Sequence, residues 1–178
     1  MTYESVAQIL DSIDETRERL VARAAQLSAE DEVQQSASGG WTVAEIIEHV
    51  ATVEEQIIKL SNKMLMKAEA DGGRASDDLR IAPVSLDHLA ERSRDEKFQA
   101  PESAHPRGGI GVADSIAKMR NSRAALRALR PRLEAADLSS ARYPHPVFGP
   151  LNLYEWLIVL GAHEDRHLRQ IESLLQSA

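Results

Sequence analysis

Apolar residues recur at helical spacing in four long stretches of this chain, and that repetition constrains the fold more than any other feature. Between Thr2 and Leu27 the positions Val6, Leu10, Ile13, Arg17, Leu20, Ala24 and Leu27 step by four and three, one face of a helix with a single charged member. The second stretch opens after Gly39-Gly40. Thr42 and Glu45 have the spacing of a capping box, and Trp41 and Ile46 that of a hydrophobic staple. Its stripe of Val43, Ile47, Val50, Glu54, Ile57, Ser61 and Met64 runs on to about Ala70. The third, from about Val112 to Ala136, shows Val112, Ile116, Met119, Leu126, Leu129 and Leu133, and Pro131 is expected to kink or stop it. The fourth starts at Asn152, a good N-cap, with Glu155 three residues on and Leu151 facing Trp156 as a staple. Its stripe is Leu153, Leu157, Leu160, Glu164, His167, Ile171 and Leu174.

Four amphipathic helices of about 25 residues each, roughly 37 Å long, read as an all-α four-helix bundle. A length of 178 residues suits one domain spanning 1–178. Connections of about 14 residues join helices 1 and 2, and 3 and 4, which suits neighbouring antiparallel partners. The connection from Asp71 to Gly111 is long enough to cross the length of the bundle, so helices 2 and 3 can run parallel. Within it, Ser85 to Glu96 is expected to form a short extra helix.

Composition removes several functions. Net charge is −7 and aromatics are 4 %, which argues against gripping or stacking on nucleic acid. The absence of cysteine excludes disulfides, thiolate metal sites and a catalytic cysteine. No basic cluster precedes an apolar run at the N-terminus, and the longest apolar stretch, Trp156 to Ala162, is far short of the ~20 residues that span a bilayer. A cytoplasmic protein without a membrane partner is expected.

His163 and His167 stand one helical turn apart, a spacing that brings two imidazoles within reach of one metal ion. In an antiparallel arrangement of helices 2 and 4, His49 falls close to their level. Three neutral imidazoles inside a bundle need something to satisfy them, either a divalent cation or a set of hydrogen bonds. Ligating imidazoles must be neutral, so metal affinity is expected to fall as the pH drops through about 6.

The segments Gly40-Trp41-Thr42-Val43-Ala44-Glu45-Ile46-Ile47-Glu48-His49, His145-Pro146-Val147-Phe148-Gly149-Pro150-Leu151-Asn152-Leu153-Tyr154-Glu155-Trp156 and His163-Glu164-Asp165-Arg166-His167 resemble the DinB-like four-helix-bundle proteins. The resemblance covers nearly the whole chain. It implies an up-down-down-up bundle, a metal triad of His49, His163 and His167 holding zinc or nickel, and a homodimer. Such proteins include S-transferases and isomerases that use low-molecular-weight thiols, metal-dependent hydrolases, and members without known activity. The resemblance therefore implies a metal-dependent transferase or hydrolase acting on a small-molecule substrate, or alternatively a non-enzymatic metal-binding or stress-response protein. A three-His site leaves a coordination position open, the layout of a catalytic rather than a closed structural metal, and carboxylates are expected to hold the outer ring nitrogens.

Other residues read more plainly. Glu45 is explained by its capping box rather than as a fourth ligand. His145 reads as a loop-packing residue, and His88 and His105 as solvated. Arg120, Arg123, Arg127 and Arg130 form a basic stripe expected to pair with Asp11, Asp14, Glu15 and Glu18, with an anion site as the alternative. Arg17, Glu54 and Glu164 occupy core positions at one level of the bundle. Buried charges of this kind are costly alone, so Arg17 is expected to pair with Glu54, with Glu164 joining them or holding a histidine.

Overall fold

A computed structural model describes residues 3–72 and 100–176. Four long helices carry it: α1 Val6–Ala24, α2 Val43–Ala70, α3 Val112–Ala135 and α4 Leu153–Gln176. The expected Ser85–Glu96 helix and His88 lie outside the described residues. Among the described residues no helix is long and apolar enough to cross a membrane.

The ends of the helices follow their caps. Ser5 accepts the Gln8 N–H at 3.2 Å, so α1 starts there and not near Thr2. It finishes at Ala24. A single helical turn, Ala29–Glu32, then follows with its own Ser28–Asp31 capping box, so Leu27 packs against the core from a connection rather than a helix. Thr42 and Glu45 exchange side-chain bonds with each other's N–H groups, as their spacing predicts. Asn152 and Glu155 do the same at the head of α4. Pro131 does not stop α3, which continues to Ala135.

The packing order differs from the expectation drawn from connection lengths. The helices joined by the two shorter connections, α1 with α2 and α3 with α4, are not close neighbours: α1 packs against α3 and α4, and α2 against the same two. The connections 25–42 and 136–152 are long enough to reach across a diagonal, and length alone does not choose between an adjacent and a diagonal partner. Gly161 permits the approach of α4 to α1, since a Cβ there would meet Ile13 Cγ1 at 3.2 Å.

The second connection also holds a β-hairpin, which the sequence reading missed. Strand β1, Arg142–His145, pairs antiparallel with β2, Gly149–Asn152, and Pro144 faces Pro150. Two prolines suppress any strand reading, yet a two-stranded ribbon has only edge strands, where proline is tolerated. The three-residue loop closes on Gly149 at φ 74°, a conformation that favours glycine.

Two apolar clusters fill the bundle. One takes the first halves of α1 and α4 with the second halves of α2 and α3; the other takes the complementary halves. Between them lie Arg17, Glu54 and Glu164, at 2 %, 0 % and 0 % exposure. Arg17 Nε donates to Glu164 Oε1 at 2.9 Å, and its Nη2 lies 3.0 Å from Glu54 Oε1. The pairing expected from the stripes is present, and Glu164 joins it rather than serving a histidine. Burial raises Glu54 to about 8 and Glu164 to about 7, against the pull of Arg17. One guanidinium cannot neutralise two ionised carboxylates, so near neutral pH the trio keeps a proton.

Candidate metal centre

The α2 and α4 helices face each other at the level where His49, His163 and His167 lie, with one ligand atom from each within 4.8 Å of the others. His49 comes from the first half of α2, held in place by the Thr42 cap. The other two come from successive turns of α4. His49 Nε2 and His163 Nε2 are 3.1 Å apart, the separation of two nitrogens bound to one ion at roughly 2.0–2.1 Å.

Outer partners decide which nitrogens point inward. His49 Nδ1 donates to the Ala104 carbonyl at 2.7 Å, and His167 Nδ1 to Gln170 Oε1 at 2.8 Å. Both therefore carry their proton on Nδ1 and turn an Nε2 lone pair to the centre, the tautomer that a ligating histidine needs. The expectation of carboxylates in this outer position is corrected: a carbonyl and an amide oxygen supply the acceptors. Such neutral groups orient the rings without the added basicity a carboxylate confers. His163 Nδ1 is buried without a partner among the described residues.

Burial also keeps the rings neutral. It lowers His49, pushes His163 well below its usual value with the neighbouring His167 and His49 adding to the effect, and takes His167 to about 4. Burial of this kind moves the loss of metal affinity expected on acidification to lower pH than a free imidazole gives. Protons compete for these nitrogens only at lower pH, because the folded site resists protonation before any ion arrives.

The end of the long crossover walls the site. Glu48, 4 % exposed, accepts the N–H groups of Arg107 at 2.9 Å and Gly108 at 3.2 Å. Gln56 Nε2 donates to the Ser103 carbonyl at 2.8 Å. These bonds press the 3-10 turn Glu102–Ala104 onto α2, which presents the Ala104 carbonyl to His49. Trp41 completes the wall, its ring 4.8 Å from that of His49. Sequence reasoning missed Glu48, since no spacing links it to a loop some sixty residues on. Its one signal is a carboxylate beside a stripe position in the first turns of a helix. Glu48→Gln is expected to cost about 1–3 kcal/mol, because two charge-assisted acceptors become one neutral one. Faster proteolysis within 100–111, with α2 still helical by circular dichroism, checks it.

The other described histidines, His105 and His145, lie outside the triad. His105 is exposed, bonded to the Ala100 carbonyl and edge-on to Trp41. His145 accepts the N–H groups of Val147 and Phe148 at Nδ1 and stacks on Phe148, which makes it the latch of the hairpin turn. Burial lowers it to about 4. Glu45 is committed to its cap.

A sequence profile of the DinB superfamily matches residues 12–171. The chain belongs to the DinB superfamily. It is 27 % identical over 154 residues to the uncharacterized protein YuaE of Bacillus subtilis (strain 168), covering 83 % of this chain and 85 % of that protein. The crystal structure of TT2238, a four-helix bundle protein, superimposes with a TM-score of 0.60 at 22 % identity, over 97 % of this chain and 98 % of that one. At that identity the likeness speaks for the fold alone. The four-helix bundle expected from the stripes is thereby supported from outside the chain, and in this DinB-superfamily member the three histidines could together hold a metal ion.

Proposed function

We propose that His49, His163 and His167 bind a divalent ion, zinc or nickel, through their Nε2 atoms, and that the protein is a metal-dependent enzyme acting on a small molecule. The observation that carries this reading is the pair of outer acceptors, Ala104 O and Gln170 Oε1, which fix two of the three rings in the ligating tautomer. Three buried or half-buried neutral imidazoles within 4.8 Å, with no carboxylate among them, make a donor set suited to a borderline metal rather than to calcium or magnesium. Such an ion supplies Lewis acidity that activates a water or a low-molecular-weight thiol at neutral pH. The protein's own residues hold the rings, exclude water along the α2 side through the Glu48-latched loop, and present Trp41 as an apolar wall. The reaction class is hydrolysis or transfer of a thiol to a small electrophile. Cysteine is absent, so the chain itself offers no thiol nucleophile.

Elemental analysis of protein purified without a histidine tag, followed by zinc and nickel titration, tests the site. One ion per chain is expected, with binding lost in His163→Ala. Absence of any divalent ion after soaking with zinc overturns the proposal. Assay of the His163→Ala protein separates enzyme from passive metal binder: loss of turnover with the fold retained supports the first, and loss of thermal stability alone supports the second.

A further inference from the structure

Glu48 and His49 are consecutive on α2, and both grip the same stretch of chain, the end of the crossover before α3. His49 Nδ1 meets the Ala104 carbonyl, and the Glu48 carboxylate takes the N–H groups of Arg107 and Gly108, three and four residues further on. Gly108 has φ 72°, a left-handed conformation that glycine adopts freely, and there two successive N–H groups meet one carboxylate. The turn that carries Ala104 closes on itself: the Ala104 N–H donates to the Pro101 carbonyl at 2.8 Å and the His105 N–H to that of Glu102 at 3.1 Å. Those bonds shape the turn without seating it. Among the described residues, the hydrogen bonds that seat it on α2 come from Glu48, His49 and Gln56. Ala104 is 2 % exposed, so its carbonyl reaches His49 only while the turn is docked.

We propose that Glu48 is a positioning residue of the metal centre: by latching residues 104–108 onto α2 it holds the Ala104 carbonyl on His49 Nδ1, so that docking of this loop and binding of an ion at the triad strengthen each other. The role presupposes the metal site proposed above. Which imidazole nitrogen carries the proton is set by the hydrogen bond the other nitrogen makes. A carbonyl can only accept, so the docked loop commits His49 to Nδ1–H and leaves Nε2 free for an ion. With the loop undocked, His49 samples both tautomers, and the Nε2–H form cannot ligate. An outer acceptor of this kind is worth about 10–100-fold in metal affinity. The coupling is reciprocal: an ion on Nε2 excludes the wrong tautomer and strengthens the loop's hold by the same factor. His167 has no share in this, because its acceptor, Gln170, sits one turn away on its own helix.

The full chain, labelled with nitrogen-15 and freed of metal with a chelator, allows the ring nitrogens to be read by NMR at pH 7.5. In the unaltered protein His49 and His167 are both expected as Nδ1–H. Glu48→Ala is expected to turn His49 into a mixture of tautomers, to leave His167 unchanged, and to weaken zinc by about tenfold or more. Gln56→Ala removes the bond to the Ser103 carbonyl from an exposed side chain, so it keeps the fold, and it is expected to move His49 and the zinc affinity in the same direction by less. Conversely, zinc should slow amide exchange at Arg107 and Gly108 and leave the Asp31 N–H of the Ser28 capping box unaffected. Zinc binding by the unaltered protein that neither variant weakens overturns the role of Glu48 alone. So does equal movement of His49 and His167, which marks a general loosening, or exchange at Arg107 and Gly108 that zinc does not slow. No zinc binding by the unaltered protein overturns the metal site itself, and the positioning role with it.

Discussion

Replacing Arg17 with alanine is expected to lower stability by roughly 3–5 kcal/mol at pH 8, whereas Arg19→Ala two residues away costs less than about 1 kcal/mol. Arg19 is 54 % exposed and 3.6 Å from Asp165, a contact that water screens. Arg17 is 2 % exposed, and its removal leaves two buried carboxylates with no cation and a cavity where the guanidinium stood. The penalty should shrink at pH 5, because both glutamates can then take up protons and enter the neutral form that burial favours. Glu54→Gln makes the converse point. Burial already holds Glu54 mostly protonated at pH 7, so an amide of the same shape is expected to cost about 1 kcal/mol or less. Urea unfolding of the three variants at both pH values checks this, and equal costs for Arg17→Ala and Arg19→Ala would show that the trio is not a stabilising unit.

The trio was legible in the sequence because a helical stripe reports burial whatever residue occupies it. Arg17, Glu54 and Glu164 each fall where an aliphatic residue belongs, and matching their levels along the helices is enough to bring them together. The histidine triad was legible from the i, i+4 spacing of His163 and His167 and from the matching level of His49, although only His167 falls on a stripe. What stayed hidden depends on contacts without a period. Packing order was one such feature, since the residues 25–42 and 136–152 reach either an adjacent or a diagonal helix. The hairpin was another, because Pro144 and Pro150 mask β pairing that only their edge position allows. Glu48 and Gln170 were missed too: the partners of the first are backbone N–H groups in a distant loop, and the second acts through a histidine it holds rather than through the centre itself. Local patterns give helices and their buried faces. Loop-to-helix polar contacts are set only once the bundle has closed.

Metal-free protein is expected to be most stable near pH 6.5 and to lose stability in both directions. On the acid side, His167 is depressed from 6.5 to about 4, so its contribution is present above 6.5 and is lost as the pH falls through 4. At 1.36 kcal/mol per pH unit this one ring accounts for roughly 3 kcal/mol, and the lowered values of His49 and His163 add to the same limb. On the alkaline side the sign reverses. Glu54 and Glu164 are raised from 4.5, so the fold binds protons that the unfolded chain has released, and that stabilisation is lost as the pH rises through 7 and 8. The acid limb should be the steeper, because at least three histidines titrate there against two coupled carboxylates. Urea midpoints between pH 4.5 and 8.5 on chelator-treated protein measure both limbs. His167→Gln, which cannot take up a charge, should flatten the acid limb, and Glu54→Gln the alkaline one. Zinc should raise the whole curve above about pH 5 while leaving its alkaline fall in place, because the ion competes with protons at the imidazoles and not at the carboxylates. A midpoint that rises steadily from pH 4.5 to 8.5 would mean that both glutamates are ionised in the fold, and Arg17 would then have to carry two buried negative charges alone.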